Sequence, residues 1–238
     1  MKKIKTLGIS GEHKIMRKRL PYKTEKWEKT KNYLIKDNKQ YPVSERFAKT
    51  KKRYLDGKIG KIRFHNVLSL DYSIAAQEAF ALGQLSECRR MLEQSVEEFL
   101  ISVNEAQNLE DDDVIIREDI KDDLKSEKYG YYAVLLDRYD DVPVVTDPDG
   151  NLYKLIVGKE NIDESKLGDF LDDMLYAISV RDSEMFEEAL RNRIKEIRTN
   201  SFDFGMCADF YSMALIKEAL KAEMTFYRDY VEVDFGEK

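Results

Sequence analysis

Proline, histidine and cysteine are scarce in this chain: 4 Pro, 2 His and 2 Cys in 238 residues, with 11 Gly. So few turn-forming residues weigh against a many-turned β-sandwich and favour helices. His13 and His65 lie far apart with no cysteine beside either, which excludes zinc ligation at the usual spacings. Cys88 and Cys207 each fall on an apolar helical pattern, so both read as small buried hydrophobes in a reducing compartment. No stretch approaches the roughly 20 apolar residues of a membrane span. The opening "MKKIKTLGIS" lacks the apolar run of about 7–15 residues that a signal peptide requires. A cytoplasmic, soluble protein is expected.

What the chain does contain is charge and tyrosine. Hydrophobic residues at 42% suffice for a folded interior, and charged residues at 36% point to long solvated helices. Aromatics at 11%, including 14 Tyr, argue against an unstructured polymer. The length allows one large domain or two modest ones. The net charge of −6 conceals a division: residues 1–63 hold 21 Lys+Arg against 6 Asp+Glu, a balance of +15, and 64–238 carry −21. Such asymmetry implies internal neutralisation or two faces for partners of opposite sign. The expected division is a basic helical region over 1–63 and an acidic, all-α domain over 64–238.

Along the chain, "TEKWEKTKNYLIK" (24–36) reads as a helix capped by Thr24. "SERFAKTKKRYLDG" (44–57) reads as another, with Ser44 as cap, Phe47, Tyr54 and Leu55 inward, and Gly57 as stop. From Asn66, the residues Leu68, Tyr72, Ala75, Ala76, Ala79, Phe80 and Leu82 recur at helical spacing until Gly83. A second helix from Ser86 turns Cys88, Met91, Leu92, Val96, Phe99 and Leu100 inward, giving an antiparallel helical hairpin.

The pattern returns 98 residues later: Ala177 answers Ala79, Ile178 Phe80, Val180 Leu82, Asp182 Gln84 and Leu190 Leu92. Leu171, Leu175, Phe186, Ile194 and Ile197 complete the inward faces, and Asp182 or Ser183 is the expected cap. A further helix, "ADFYSMALIKEALKAEM" (208–224), follows. Between the two copies, 108–124 predicts an acidic helix with a thin stripe of Ile116, Ile120 and Leu124, and "YYAVLLDRY" (131–139) reads as buried. "VPVVTDPDGNLYKLIVG" (142–158) has two β-branched runs around Asp-Pro-Asp-Gly and predicts a β-hairpin, and the tail 226–235 alternates as a strand does. The fold class expected is mainly α: antiparallel helical hairpins stacked as a repeat-like bundle, with a small β-hairpin insert.

Catalytic signatures are few. There is no nucleophile elbow, and "GKIGK" (57–61) lacks the spacing and following Ser/Thr of a phosphate loop. "TDPDGN" (146–151) has alternating Asp147, Asp149 and Asn151 but neither the sixth-position Gly nor the closing Glu of a calcium loop, so a turn is the stronger reading. The pairs Asp122–Asp123, Asp172–Asp173 and Glu187–Glu188 serve acid–base chemistry only around a pocket with shifted pKa values, and on charged helices such acids are solvated. No metal or cofactor is expected. The most informative cluster is Glu110, Asp111, Asp112, Asp113, Glu118, Asp119, Asp122 and Asp123. Crowding of like charge costs stability. Its alternatives are a solvated face and a polyanion-like surface that attracts a basic partner, a nuclease being one such partner. The basic N-terminal region, with Tyr22, Trp27, Tyr33 and Tyr41 among its lysines, is either a nucleic-acid grip or a helix pair lying against the acidic remainder.

Three stretches also carry a resemblance: "DYSIAAQEAFALGQLSECRRMLEQ", "LDDMLYAISVRDSEMFEEALRNRIKEIR" and "DFYSMALIKEALKAEMTFYRDYVEVD". They resemble the helix patterns of bacterial polymorphic-toxin immunity proteins, specifically the immunity protein 49 family, over roughly 66–235. The resemblance implies a cytoplasmic, mostly helical protein that binds and blocks a cognate toxin and carries no catalytic residues. On that basis the acidic residues 110–123 are the expected contact with a basic toxin. A helical-repeat adaptor, or a nucleic-acid-binding protein using 1–63, are the alternatives.

Overall fold

The computed structural model describes residues 42–108, 126–158, 160, 162–199 and 209–226. Among these the chain is helical throughout, with no strand. Helix α1 is Val43–Leu55, α2 Lys61–Ala81, α3 Leu85–Gln107 and α4 Glu127–Leu135. Two short pieces, α5 (Val142–Val145) and α6 (Asn151–Tyr153), precede α7 (Phe170–Val180), α8 (Ser183–Thr199) and α9 (Phe210–Lys221). The expected helix at 24–36, the acidic helix at 108–124 and most of the tail strand at 226–235 lie outside the described residues.

One closing device recurs. At Gly57, Gly83, Asp137, Arg181 and Glu223 the backbone turns left-handed, with φ of 57–75°. In each case the following N–H reaches back five residues to the helix: Lys58 to Arg53 O, Gln84 to Ala79 O, Arg138 to Ala133 O, Asp182 to Ala177 O and Met224 to Ala219 O, all at 2.8–3.0 Å. This satisfies helix-end carbonyls that would otherwise be orphaned. Gly57 and Gly83 therefore stop their helices as their residue type requires. Asp137, Arg181 and Glu223 adopt the same conformation without glycine.

The two hairpins are built alike. α2 packs antiparallel on α3, and α7 on α8. Leu92 and Leu190 are both buried, as are Ala79 and Ala177. At the turns, Leu82 and Val180 are both exposed, at 41% and 47%, so Leu82 is not an inward residue. It is the residue that follows α2, at the helix's C-cap.

Helix α4 lies at the centre. Tyr129 and every residue from Tyr131 to Leu136 are buried. Tyr129 stacks on Phe99 of α3 with centroids 3.8 Å apart, and Tyr132 meets Phe210 of α9 edge-on at 5.8 Å. The two hydroxyls are satisfied by serines of α2, Tyr129 with Ser69 at 2.7 Å and Tyr132 with Ser73 at 2.8 Å. Small polar residues on α2 thus let tyrosine enter the core without an unpaired oxygen. Gly130 allows the close approach from the other side: a Cβ there would collide with Thr146 and stand 2.8 Å from Leu152 Cδ2.

The expected β-hairpin at 142–158 is not formed. Only its turn survives, as Gly150 N–H donates to Asp147 O at 2.9 Å. Pro143 lies at the start of α5, where its missing N–H costs nothing. Val142, Val145 and Leu152 are all buried among helices. A spacing of three between the two valines suits one helical turn, and the β-branched run was too short for its alternation to discriminate.

At the N-terminal side, α1 is entered through Pro42 with no side-chain cap, and Ser44 falls inside the helix rather than capping it. α1 is fastened to α2 by Arg46–Glu78 (3.0 Å), Thr50–Asp71 (2.9 Å) and the Phe47–Tyr72 contact (4.4 Å). Leu55, expected inward, is 72% exposed because it lies beyond the reach of α2's packing face. α2 starts five residues earlier than Asn66, so residue 63 falls within a continuous helix.

Candidate functional site

Glu110, Asp111, Asp112, Asp113, Glu118, Asp119, Asp122 and Asp123, the residues singled out from the sequence, lie outside the described residues, as do His13 and Cys207. Among the described residues carboxylates converge elsewhere, around Glu127 in the first turn of α4.

Glu127 lies against the Asp147–Gly150 turn; a Cβ on Gly150 would collide with its carboxylate. The carboxylate accepts the Leu152 N–H at the start of α6, capping that short helix. Asp169 caps α7 by accepting Leu171 N–H at 2.7 Å and Asp172 N–H at 3.0 Å. Asp172 accepts from Asn151 Nδ2 at 2.8 Å and from Gly168 N–H at 2.9 Å, which ties α6 to the start of α7. The acids are therefore placed by capping, the work short carboxylates do best at helix starts. Their charges nevertheless repel. Burial, then Asp172, with Asp169 and Asp147 adding, holds Glu127 above the usual glutamate range despite its backbone bond. Burial, Asp169 and Asp172 raise Asp173 likewise. No sequence spacing announced this group, because its members come from three segments that only the fold assembles.

The paired acids do not form a dyad on α8: Glu187 is buried while Glu188 is exposed, as consecutive helical residues point about 100° apart. His65 is held by Glu98 of α3, Nδ1 to Oε2 2.6 Å, within the second turn of α2. Burial pushes the Cys88 thiol up, away from the reactive thiolate. Lys128 projects over the rings of Tyr129 and Tyr132 at 5.4 and 5.8 Å, and burial lowers its ammonium to about 8. Among the described residues no group of His, Cys, Asp and Glu is placed to hold a metal ion, the Asp147–Asn151 turn included.

No family model, no curated protein and no solved structure matches the chain. No residue role is therefore carried over from a relative, and the site is defined by its own geometry.

A second charged surface lies at the corner of α1 and α2. Lys51 and Arg53 of α1, Lys58 in the connection, and Lys61 and Arg63 of α2 are exposed. Tyr54 and Phe64, both half-buried, stack between them at 4.5 Å and 17°. Lys61 is paired with Glu105 at 2.7 Å and Lys58 with Asp56 at 3.3 Å. Lys51, Arg53 and Arg63 have no carboxylate partner among the described residues. Among the described residues, Arg46 with Glu78 and Lys61 with Glu105 pair this basic stretch with the acidic body.

Proposed function

We propose that the chain is an immunity protein that binds a cognate bacterial toxin in the cytoplasm and neutralises it by direct occlusion. The observation that carries this reading is the gathering of Glu127, Asp147, Asp169, Asp172 and Asp173 from separate segments onto one helical scaffold. A rigid negative face steers and holds a basic protein such as a nuclease, because complementary charge accelerates encounter. The acidic run 110–123 adds to the same negative bias. The resemblance to immunity protein 49 patterns in the two hairpins and the final helix agrees with it. We read those hairpins as units of a stacked, repeat-like array, a reading supported by their shared turn hydrogen bonds. The same features also suit a helical-repeat adaptor for a different basic protein.

The test is co-expression with the product of the adjacent reading frame, followed by gel filtration and calorimetry of the purified pair. A one-to-one complex is expected, with association slowing as salt rises from about 0.05 to 0.5 M. Reversal of Asp111, Asp112 and Asp113 in one variant, and of Asp169 and Asp173 in another, separates the two acidic surfaces. A salt-insensitive complex untouched by both variants would remove electrostatics from the reading, and toxicity unchanged by the protein would remove immunity.

A further inference from the structure

We propose that the corner between α1 and α2 binds single-stranded nucleic acid, with Lys51, Arg53 and Arg63 on phosphates and the Tyr54–Phe64 stack beside the bases. This stands apart from the toxin-binding reading and uses the positive end of the molecule.

Three features converge there. The first is unneutralised charge. On α3, Arg89 and Arg90 are each matched with a glutamate of their own helix at 2.9 and 2.7 Å, whereas Lys51, Arg53 and Arg63 are exposed and have no carboxylate partner among the described residues. The helix dipole accounts for Arg53, which lies in the last turn of α1. It does not account for Arg63. That residue occupies the first turn of α2, where a cation opposes the dipole, and the same turn has no acid and no side-chain cap. An arriving anion relieves both. The second feature is the aromatic pair: Tyr54 follows Arg53, Phe64 follows Arg63, and their partly exposed rings stack on each other, the combination of aromatic and cation on which single strands stack. The third is rigidity. Arg46–Glu78 and Thr50–Asp71 fix α1 on α2, so the two helices that carry the cations keep one relative placement. Leu55, 72% exposed beside the patch, adds apolar contact for a base.

A single strand suits this corner better than a duplex does, because rings accompany the cations and, among the described residues, no helix projects from it to enter a groove. Binding should be sequence-tolerant, since every base has a face to stack.

The experiment is fluorescence anisotropy of the full chain with a labelled oligothymidine of about 12 nucleotides, the site size of an extended single-strand contact. Parallel arms use the matching duplex and vesicles of phosphatidylserine with phosphatidylcholine. Single-strand binding is expected, weakened at least about tenfold in the Lys51→Glu/Arg53→Glu/Arg63→Glu variant, whose salt slope is shallower by about 2 for the three lost contacts. All three side chains are exposed, so circular dichroism and the melting midpoint should be retained. Arg53→Glu and Arg63→Glu are also compared singly with Arg191→Glu, an exposed reversal on α8, which should leave affinity unchanged. Absence of single-strand binding at about 0.15 M salt, equal loss on Arg191→Glu, or preference for the vesicles overturns the proposal.

Discussion

Asp182 occupies in the second hairpin the place Gln84 occupies in the first. The N–H of Asp182 donates at 2.9 Å to Ala177 O and that of Gln84 at 2.9 Å to Ala79 O, and the carbonyls of Gln84 and Asp182 in turn accept from Cys88 N–H and Phe186 N–H, four residues ahead. These backbone bonds recur at the 98-residue offset, but only Asp182 adds a side-chain cap, accepting from Glu184 N–H and Met185 N–H at 3.0 Å.

Gly83 and Arg181, one at each hairpin turn, share a left-handed conformation, at φ of 75° and 57°. Only one of them has the residue that conformation favours. Gly83→Ala should lower stability by about 1 kcal/mol, from strain alone, since nothing lies within 4 Å of the added methyl. Arg181→Gly should raise it by up to about 1 kcal/mol, the entropy of the unfolded glycine offsetting part of the relief. Urea unfolding of both variants checks this, and equal changes of one sign would show that the two turns are not equivalent.

Lys217 is buried in α9, and its ammonium donates to Leu135 O at 3.1 Å and pairs with Asp137 at 2.7 Å. It supplies a cation where α4 ends, and α9 is docked by that bond as well as by rings. Lys217→Met should therefore cost about 1–3 kcal/mol although methionine fills similar space. Asp137→Asn should cost no more than about 1 kcal/mol, because Asp137 is 65% exposed and water screens its share of the pair. A Lys217→Met protein as stable as the parent in urea would mean that the core, not this bond, seats the helix.

Acid behaves unusually around Glu127. Its folded pKa is raised above the ordinary value of 4.5, first by burial and then by Asp172. The fold thus prefers the protonated form. The resulting stabilisation is complete below the ordinary value and disappears as pH rises through the raised one. Glu127→Gln keeps an oxygen for the Leu152 N–H without the charge. It should be more stable than the parent near neutrality and lose that advantage on acidification toward about pH 4, the range where an unshifted carboxylate takes up its proton. Denaturation midpoints of the two proteins across that range are the measurement, and parallel pH profiles would refute the electrostatic account.

Much of the helical architecture is legible in the sequence. The stripe through Ala75, Ala76, Ala79 and Phe80, its second helix through Cys88, Leu92, Val96 and Phe99, and the stops at Gly57 and Gly83 all followed from apolar period and residue type. Errors gathered where local signals were short or tied. The valines of 142–145 fit a strand as well as a helical turn, and only packing against α4 chose between them. Leu55 and Leu82 continue their stripes, yet lie where no neighbouring helix remains to cover them.

By itself, then, the sequence determined the helical periodicity and the glycine stops at Gly57 and Gly83, since each is a property of residues close in the chain. Tertiary structure alone decided that α4 would be the buried centre, that serines of α2 would satisfy its tyrosines, and that acids from α4, the 147–150 turn and α7 would meet. Those outcomes depend on which distant segments share space, and desolvation and Coulomb energies act only once they do.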